Sequence, residues 1–143
     1  MDGATAFAIS ASGLRAQRLR MDVIAANLAN AQSTRTPEGG PYRRREVVLE
    51  AVSASERFSD VLGEASGDAV RVARVVSDDE PPRIVFDPGH PDADATGYVA
   101  FPNVNVVAEM VDLMTATRAY EANVAAINAT KRLLEATLSI GQA

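Results

Sequence analysis

The chain contains no cysteine and no tryptophan, and only one histidine and one lysine. Without cysteine there is no disulfide framework, no thiolate zinc site and no cysteine nucleophile. The lone histidine, His90, argues against a Ser-His-Asp constellation or a multi-histidine metal site. Aromatic residues are only 5% of the chain, so large ring anchors are scarce and Ala and Val must fill most of the interior. No apolar run approaches the roughly 20 residues of a membrane-spanning helix. The stretch from Met1 to Gly13 has neither a basic start nor a long apolar centre, so no cleavable Sec signal is expected. A net charge of −5, with 13 of the 14 basic residues arginine, speaks against a general nucleic-acid binder. What is present is 143 residues, 47% of them apolar and 23% charged, enough for one domain or a small core with extended arms.

Proline is absent from both ends. All seven prolines, Pro37 to Pro102, and six of the nine glycines lie in the middle. Because proline removes a donor and clashes inside a helix, the ends are free to be helical while the middle is interrupted repeatedly. Charge divides the same way: +1 over residues 1–32, −5 over 33–102 and −1 over 103–143. Three segments are therefore expected, an N-terminal helix (1–32), a Pro/Gly-rich loop and short-strand segment (33–102) and a C-terminal helix (103–143).

The N-terminal helix is expected from about Thr5 to Ala31. Phe7, Leu14, Met21 and Leu28 recur every seven residues, and Ile9, Ala16, Leu19 and Val23 form a second apolar line. A helix with two apolar faces needs two partners. The C-terminal helix shows heptad lines Val106, Leu113, Tyr120, Ile127, Leu134 and Met110, Thr117, Val124, Lys131, Leu138, a coiled-coil-like seam that only Thr117 and Lys131 break. Asn103 or Asn105 can cap its start and Gly141 follows its end. From Val104 to Ile140 it would be about 55 Å long, more than a compact chain of this size normally holds. The expected fold is mainly α with a small β segment, its long terminal helices paired and then packed into something larger.

The middle reads as short strands. Tyr42–Val52 contains the β-compatible run Glu46-Val47-Val48-Leu49, Val70–Val76 alternates, and Gly97–Phe101 offers a last strand. Arg83–Phe86 is expected to pair with Val70–Val76 across the turn Asp78-Asp79-Glu80-Pro81-Pro82.

Four features invite a chemical interpretation, and each has a plainer one. Asp92-Ala93-Asp94-Ala95-Thr96-Gly97 overlays the start of an EF-hand loop, but the twelfth position is Asn103 where a bidentate Glu is needed. Its carboxylates are expected to serve a turn. His90 beside Asp87, Asp92 and Asp94 is expected to be structural. Arg43-Arg44-Arg45 suits a solvated strand or a contact to a protein neighbour, and Gly39-Gly40 lacks the Lys-Ser/Thr and helix of a phosphate loop. No activated nucleophile or separated carboxylate pair is visible. No catalytic residue, cofactor or metal is expected, and the chain is not expected to be an enzyme.

The stretch Val23-Ile24-Ala25-Ala26-Asn27-Leu28-Ala29-Asn30-Ala31 resembles the N-terminal signature of bacterial flagellar rod and hook proteins. Asn103 to Val111 and Arg118-Ala119-Tyr120-Glu121-Ala122-Asn123 are similar to the C-terminal signature of that family. Thr34–Arg44 and Asp87–Asp94 resemble its short proximal-rod members, and the likeness is weakest at Ser53–Asp68. The resemblance implies helical ends paired as an inner domain, and many copies stacked helically with other rod proteins into a drive shaft and export channel. It implies export by the flagellar type III apparatus without a cleaved signal, a place in the basal body across the periplasm, and neither nucleic acid nor small-molecule substrate as a partner. The expected assembly interface is Phe7, Leu14, Met21, Asn27, Leu28, Asn30, Val106, Met110, Leu113, Tyr120, Val124, Ile127 and Leu134, with Asn27 and Asn30 also capping the N-terminal helix. The competing reading is a helical adaptor or export chaperone that binds a partner through the C-terminal heptads.

Overall fold

The structure, a computed structural model, describes residues 3–53 and 68–140. Most of Ser53–Asp68 lies outside the described residues, as does Gly141. In chain order the elements are α1 (Gly3–Ala29), β1 (Arg45–Ser53), β2 (Asp68–Ser77), β3 (Arg83–Phe86), β4 (Tyr98–Phe101) and α2 (Val106–Ile140). Both helices run where proline is absent. α1 closes at Asn30, whose main-chain N–H (3.1 Å) and Nδ2 (2.9 Å) both donate to the Ala26 carbonyl. α2 opens at Asn105, whose Oδ1 accepts from the Val107 and Ala108 amides at 3.1 Å each. These are the free donors a helix start presents, and Asn105 caps them.

β1 and β2 pair antiparallel from Arg45↔Ser77 to Ser53↔Asp68, with a bulge between Val48 and Leu49 that steps over Ala73. Such a bulge sharpens strand twist and helps a two-stranded ribbon curl over a helix. β3 pairs antiparallel with β4, from Arg83↔Phe101 to Phe86↔Tyr98. The expected pairing of Val70–Val76 with Arg83–Phe86 is therefore wrong. Pro81 and Pro82 have no N–H and cannot close a tight hairpin. The Asp78 amide is already committed to the Arg44 carbonyl at 2.8 Å, which extends the β1–β2 ladder.

α1 lies between α2 and the β1–β2 hairpin. Its second apolar line, through Ile9, Ala16, Leu19 and Val23, thus finds a partner inside the chain. Ser12 on that side accepts the Val70 amide at 3.0 Å, and Val23 lines a small space with Val47. The helices run antiparallel, since Asn27 meets Glu109, Met21 meets Thr117 and Gly13 meets Asn123.

The buried apolar side chains among the described residues are mostly small, three alanines (Ala16, Ala31 and Ala116) with Val99 and the larger Ile24. The side of α2 that is buried or half-buried runs through Glu109, Leu113, Ala116, Tyr120, Asn123, Ile127 and Thr130. Three of the ten expected seam residues, Leu113, Tyr120 and Ile127, are in it. The other seven, Val106 and Leu134 together with Met110, Thr117, Val124, Lys131 and Leu138, are exposed. Close approach decides this. Ala116 is 0% exposed, and a Cβ on Gly13 would come within 2.9 Å of the Asn123 carboxamide. Small and polar side chains let the helices come close, and the many short contacts this creates outweigh the lower apolar content of that face.

Candidate assembly interface and its buried junction

Three distant segments converge where α1 ends and α2 begins. Asn27, 0% exposed, donates from Nδ2 to the Arg45 carbonyl (2.8 Å) and to Glu109 Oε2 (3.0 Å). Its Oδ1 accepts from the Arg45 amide (2.9 Å) and from the Tyr42 hydroxyl (3.0 Å). Two donors and two acceptor sites are all a carboxamide has, so every one is used. By holding both the N–H and the C=O of Arg45, the side chain acts as a short piece of partner strand at the entry to β1. The expected cap at Asn27 is thus replaced by a tertiary junction, while Asn30 does the capping.

Glu109, 1% exposed, is the second member. Its Oε1 accepts from Arg44 Nε at 2.6 Å, and the Arg44 guanidinium also lies 3.6 Å from both Glu46 and Asp78. Burial opposes the charge on Arg44, but the hydrogen bond and charge of Glu109, aided by Glu46 and Asp78, outweigh it and raise its pKa. Burial pushes the Tyr42 hydroxyl up, Arg45 opposes this and Glu109 adds to it. Of the arginine triplet, Arg44 therefore turns inward against the expectation of a solvated strand. Arg45 stacks on the Tyr42 ring 5.8 Å away, and Arg43 stays exposed beside Asp79.

Between β3 and β4, Asp87 and Asp94 use their carboxylates on their own turns, whereas Asp92, against expectation, bonds outward to Thr34 and Arg35. Asp94 Oδ1 accepts from the Thr96 amide, the Thr96 hydroxyl and the Tyr98 amide at 2.7–3.0 Å. The Tyr98 amide does most to lower the Asp94 pKa, followed by the Thr96 hydroxyl, with burial opposing and the Thr96 and Gly97 amides adding. Asp92 is held below the usual carboxylate range by the Thr34 hydroxyl first, with burial opposing and Arg35 adding. His90 Nδ1 accepts the Asp92 amide at 3.0 Å, and its ring meets Phe101 edge-on. Gly97 has φ +85°, and a Cβ there would meet Phe86 at 2.9 Å, so both backbone and space require glycine.

The expected interface residues fall into three groups. Asn27 lies in the junction and Asn30 beside it. Leu113, Tyr120 and Ile127 lie half-buried on the side of α2 that α1 covers, and Met21 touches Thr117 at its edge, with Leu14 and Leu28 half-buried. Phe7, Val106, Met110, Val124 and Leu134 are exposed. On α2, Val107, Val111 and Met114 join Met110 on an exposed apolar surface. Among the described residues no helix is long and apolar enough to cross a membrane. Sequence reasoning missed Glu109 and Arg44. The available signal was a single acid within the apolar opening Val106-Val107-Ala108-Glu109-Met110-Val111, one turn before Leu113.

Residues 7–35 match the family described as flagella basal body rod protein, and residues 95–140 match the flagellar basal body rod FlgEFG protein C-terminal family. The chain is 47% identical over 144 residues to the flagellar basal-body rod protein FlgC of Bacillus subtilis, covering 94% of this chain and 95% of that protein. Identity to the FlgC protein of Salmonella typhimurium is 45% over 136 residues, covering 95% and 96%. For the FlgC protein of Borreliella burgdorferi it is 43% over 143 residues, covering 94% of each.

Proposed function

Because the chain belongs to the flagellar basal-body rod protein family and is a structural subunit of that rod, we propose that it builds the proximal rod by packing helically against further copies and other rod proteins. The paired termini (1–32 and 103–143) form its inner domain, and residues 33–102 are the loop and short-strand segment between them. The assembled tube serves as drive shaft and export channel across the periplasm. The subunit reaches it through the flagellar type III apparatus without a cleaved signal. No catalytic step, cofactor or small-molecule substrate is assigned to it.

One observation carries this reading. α2 already has a partner on one side, yet its other side presents Val107, Met110, Val111 and Met114, with Met110 55% and Met114 57% exposed. A contiguous apolar surface of this kind on a small subunit marks a protein contact. Such a surface, meeting a different one on the next copy, generates an open helical array. The assembly contacts assigned to Phe7, Val106, Met110, Val124 and Leu134 lie to neighbours, and those of Leu113, Tyr120 and Ile127 support α2 from within.

The test is complementation of a strain lacking the protein with Met110→Glu and Met114→Glu. Both positions are exposed in the single subunit, so its helicity and melting should match the parent. Swimming and hook formation should be lost. Normal swimming with both variants would overturn the assignment of this surface.

A further inference from the structure

The helix interface has a defect that burial alone does not cure. The covered side of α2 repeats every seven residues, with Ala116, Asn123 and Thr130 on one line and Leu113, Tyr120 and Ile127 on the other. Sliding α2 by one heptad along α1 puts Asn123 where Ala116 was and Ile127 where Tyr120 was. Apart from crowding at the closely packed Ala116, apolar contact distinguishes these registers weakly.

Glu109 distinguishes them strongly. A one-heptad slide displaces it about 10.5 Å along the helix axis. In one direction it passes the end of α1. In the other it comes level with Arg20, whose present neighbour Asp112 (3.9 Å) moves away with the same helix, so the carboxylate exchanges its partner for a more exposed one. Either way the carboxylate leaves Arg44, and Asn27 loses one of its two acceptors. Arg44 itself keeps Glu46 and Asp78, so the cost of a slip falls on Glu109 and Asn27, the two most deeply buried members.

We propose that the Asn27–Arg44–Glu109 junction is a register pin: it selects the one antiparallel alignment of α1 and α2 from heptad-shifted alternatives that the remaining interface tolerates. Buried polar groups fix register in this way when the apolar contacts around them repeat. The pin also ties that alignment to the β1–β2 hairpin, because Asn27 and Arg44 hold the hairpin's first residues. Helix pair and hairpin are then set by a single point, and the outer surface of α2 sits at one height along α1 only.

The absence of cysteine allows a clean test, since introduced thiols are the only ones present. Met21→Cys with Thr117→Cys reports the native register, where these side chains touch. Met21→Cys with Met110→Cys, or with Val124→Cys, reports a slip of one heptad either way. With the junction intact, only the native pair should close under mild oxidation of dilute protein. In Arg44→Met/Glu109→Met, which removes both charges together, the slipped pairs should rise at least about tenfold, equivalent to roughly 1.4 kcal/mol. Helicity should be unchanged. Glu109→Gln, which retains an oxygen for Arg44, should keep the native pair dominant. Slipped pairs that stay at background in the double variant would mean that Gly13 against Asn123 sets the register, and the inference fails. Loss of helix in the double variant would make the junction a requirement for folding itself, which also overturns it.

Discussion

Asn27 shows how a residue can be seen in the sequence and still be misjudged. Its position near the end of an apolar helix suggested a cap, because short polar side chains often bond the last carbonyls. Its partners, Tyr42, Arg45 and Glu109, lie 15, 18 and 82 residues away. No local pattern connects them. Asn27→Ala leaves buried Glu109 Oε2, and the part-buried Arg45 amide and carbonyl and Tyr42 hydroxyl, without their partner, so it should cost about 3 kcal/mol. Urea unfolding measures this, with Arg71→Ala in the exposed Arg71–Glu50 pair as a control expected within about 1 kcal/mol. Asp92 and Asp94 carry a different expectation. Both pKa values are lowered in the folded chain, so their stabilisation is complete above the ordinary carboxylate value, about 3.9. It is lost as pH falls through the lower folded values. An acid titration that follows the Thr96 and Tyr98 amides by NMR should place the midpoint below that ordinary value, and Asp94→Ala should abolish the transition.

At the level of elements, the proline map located both helices to within a few residues, and β-compatible runs located the four strands, of which only Val70–Val76 alternates cleanly. Pairing was less visible. Val70–Val76 is adjacent in sequence to Arg83–Phe86, yet its partner is Arg45–Ser53, joined to it through residues that carry no alternating pattern. The heptad lines of α2 were legible as lines, but hydropathy ranks Met110 and Val124 above Ala116 and Asn123. The short helix separation at Gly13 reverses that order. This yields two predictions for α2. Leu113→Asp forces an unpaired carboxylate against α1 and should cost several kcal/mol, lowering the melting temperature and stopping swimming. Ala116→Leu, at a position with no free surface, should destabilise by about 1–3 kcal/mol through overpacking. Thermal melts of both should fall below the parent. Equal melting for Leu113→Asp would mean that the Leu113 line is not the supported side of α2.

Across the whole molecule, the division into apolar ends and an acidic middle was readable from composition, while the way the parts meet was not. α1 is covered by α2 on one side and by the hairpin on the other, with Phe7 left exposed near its start. α2 is covered on one side only, and Lys131–Ile140 is exposed throughout. A helix end with little packing has little to oppose fraying. Isolated protein at low concentration should therefore be monomeric, with fast amide exchange over Lys131–Ile140 and slower exchange near Glu109 and Ala116. Strong protection to the end of α2 in a monomer would contradict this. The central claim, that a rod subunit is held to its neighbours by the outer surface of α2, meets its most direct test in high-resolution imaging of purified basal bodies. The account predicts density for this chain in the proximal rod, with Met110 and Met114 covered by an adjacent subunit. Density in which that surface is bare, or a rod that lacks the chain, would contradict it.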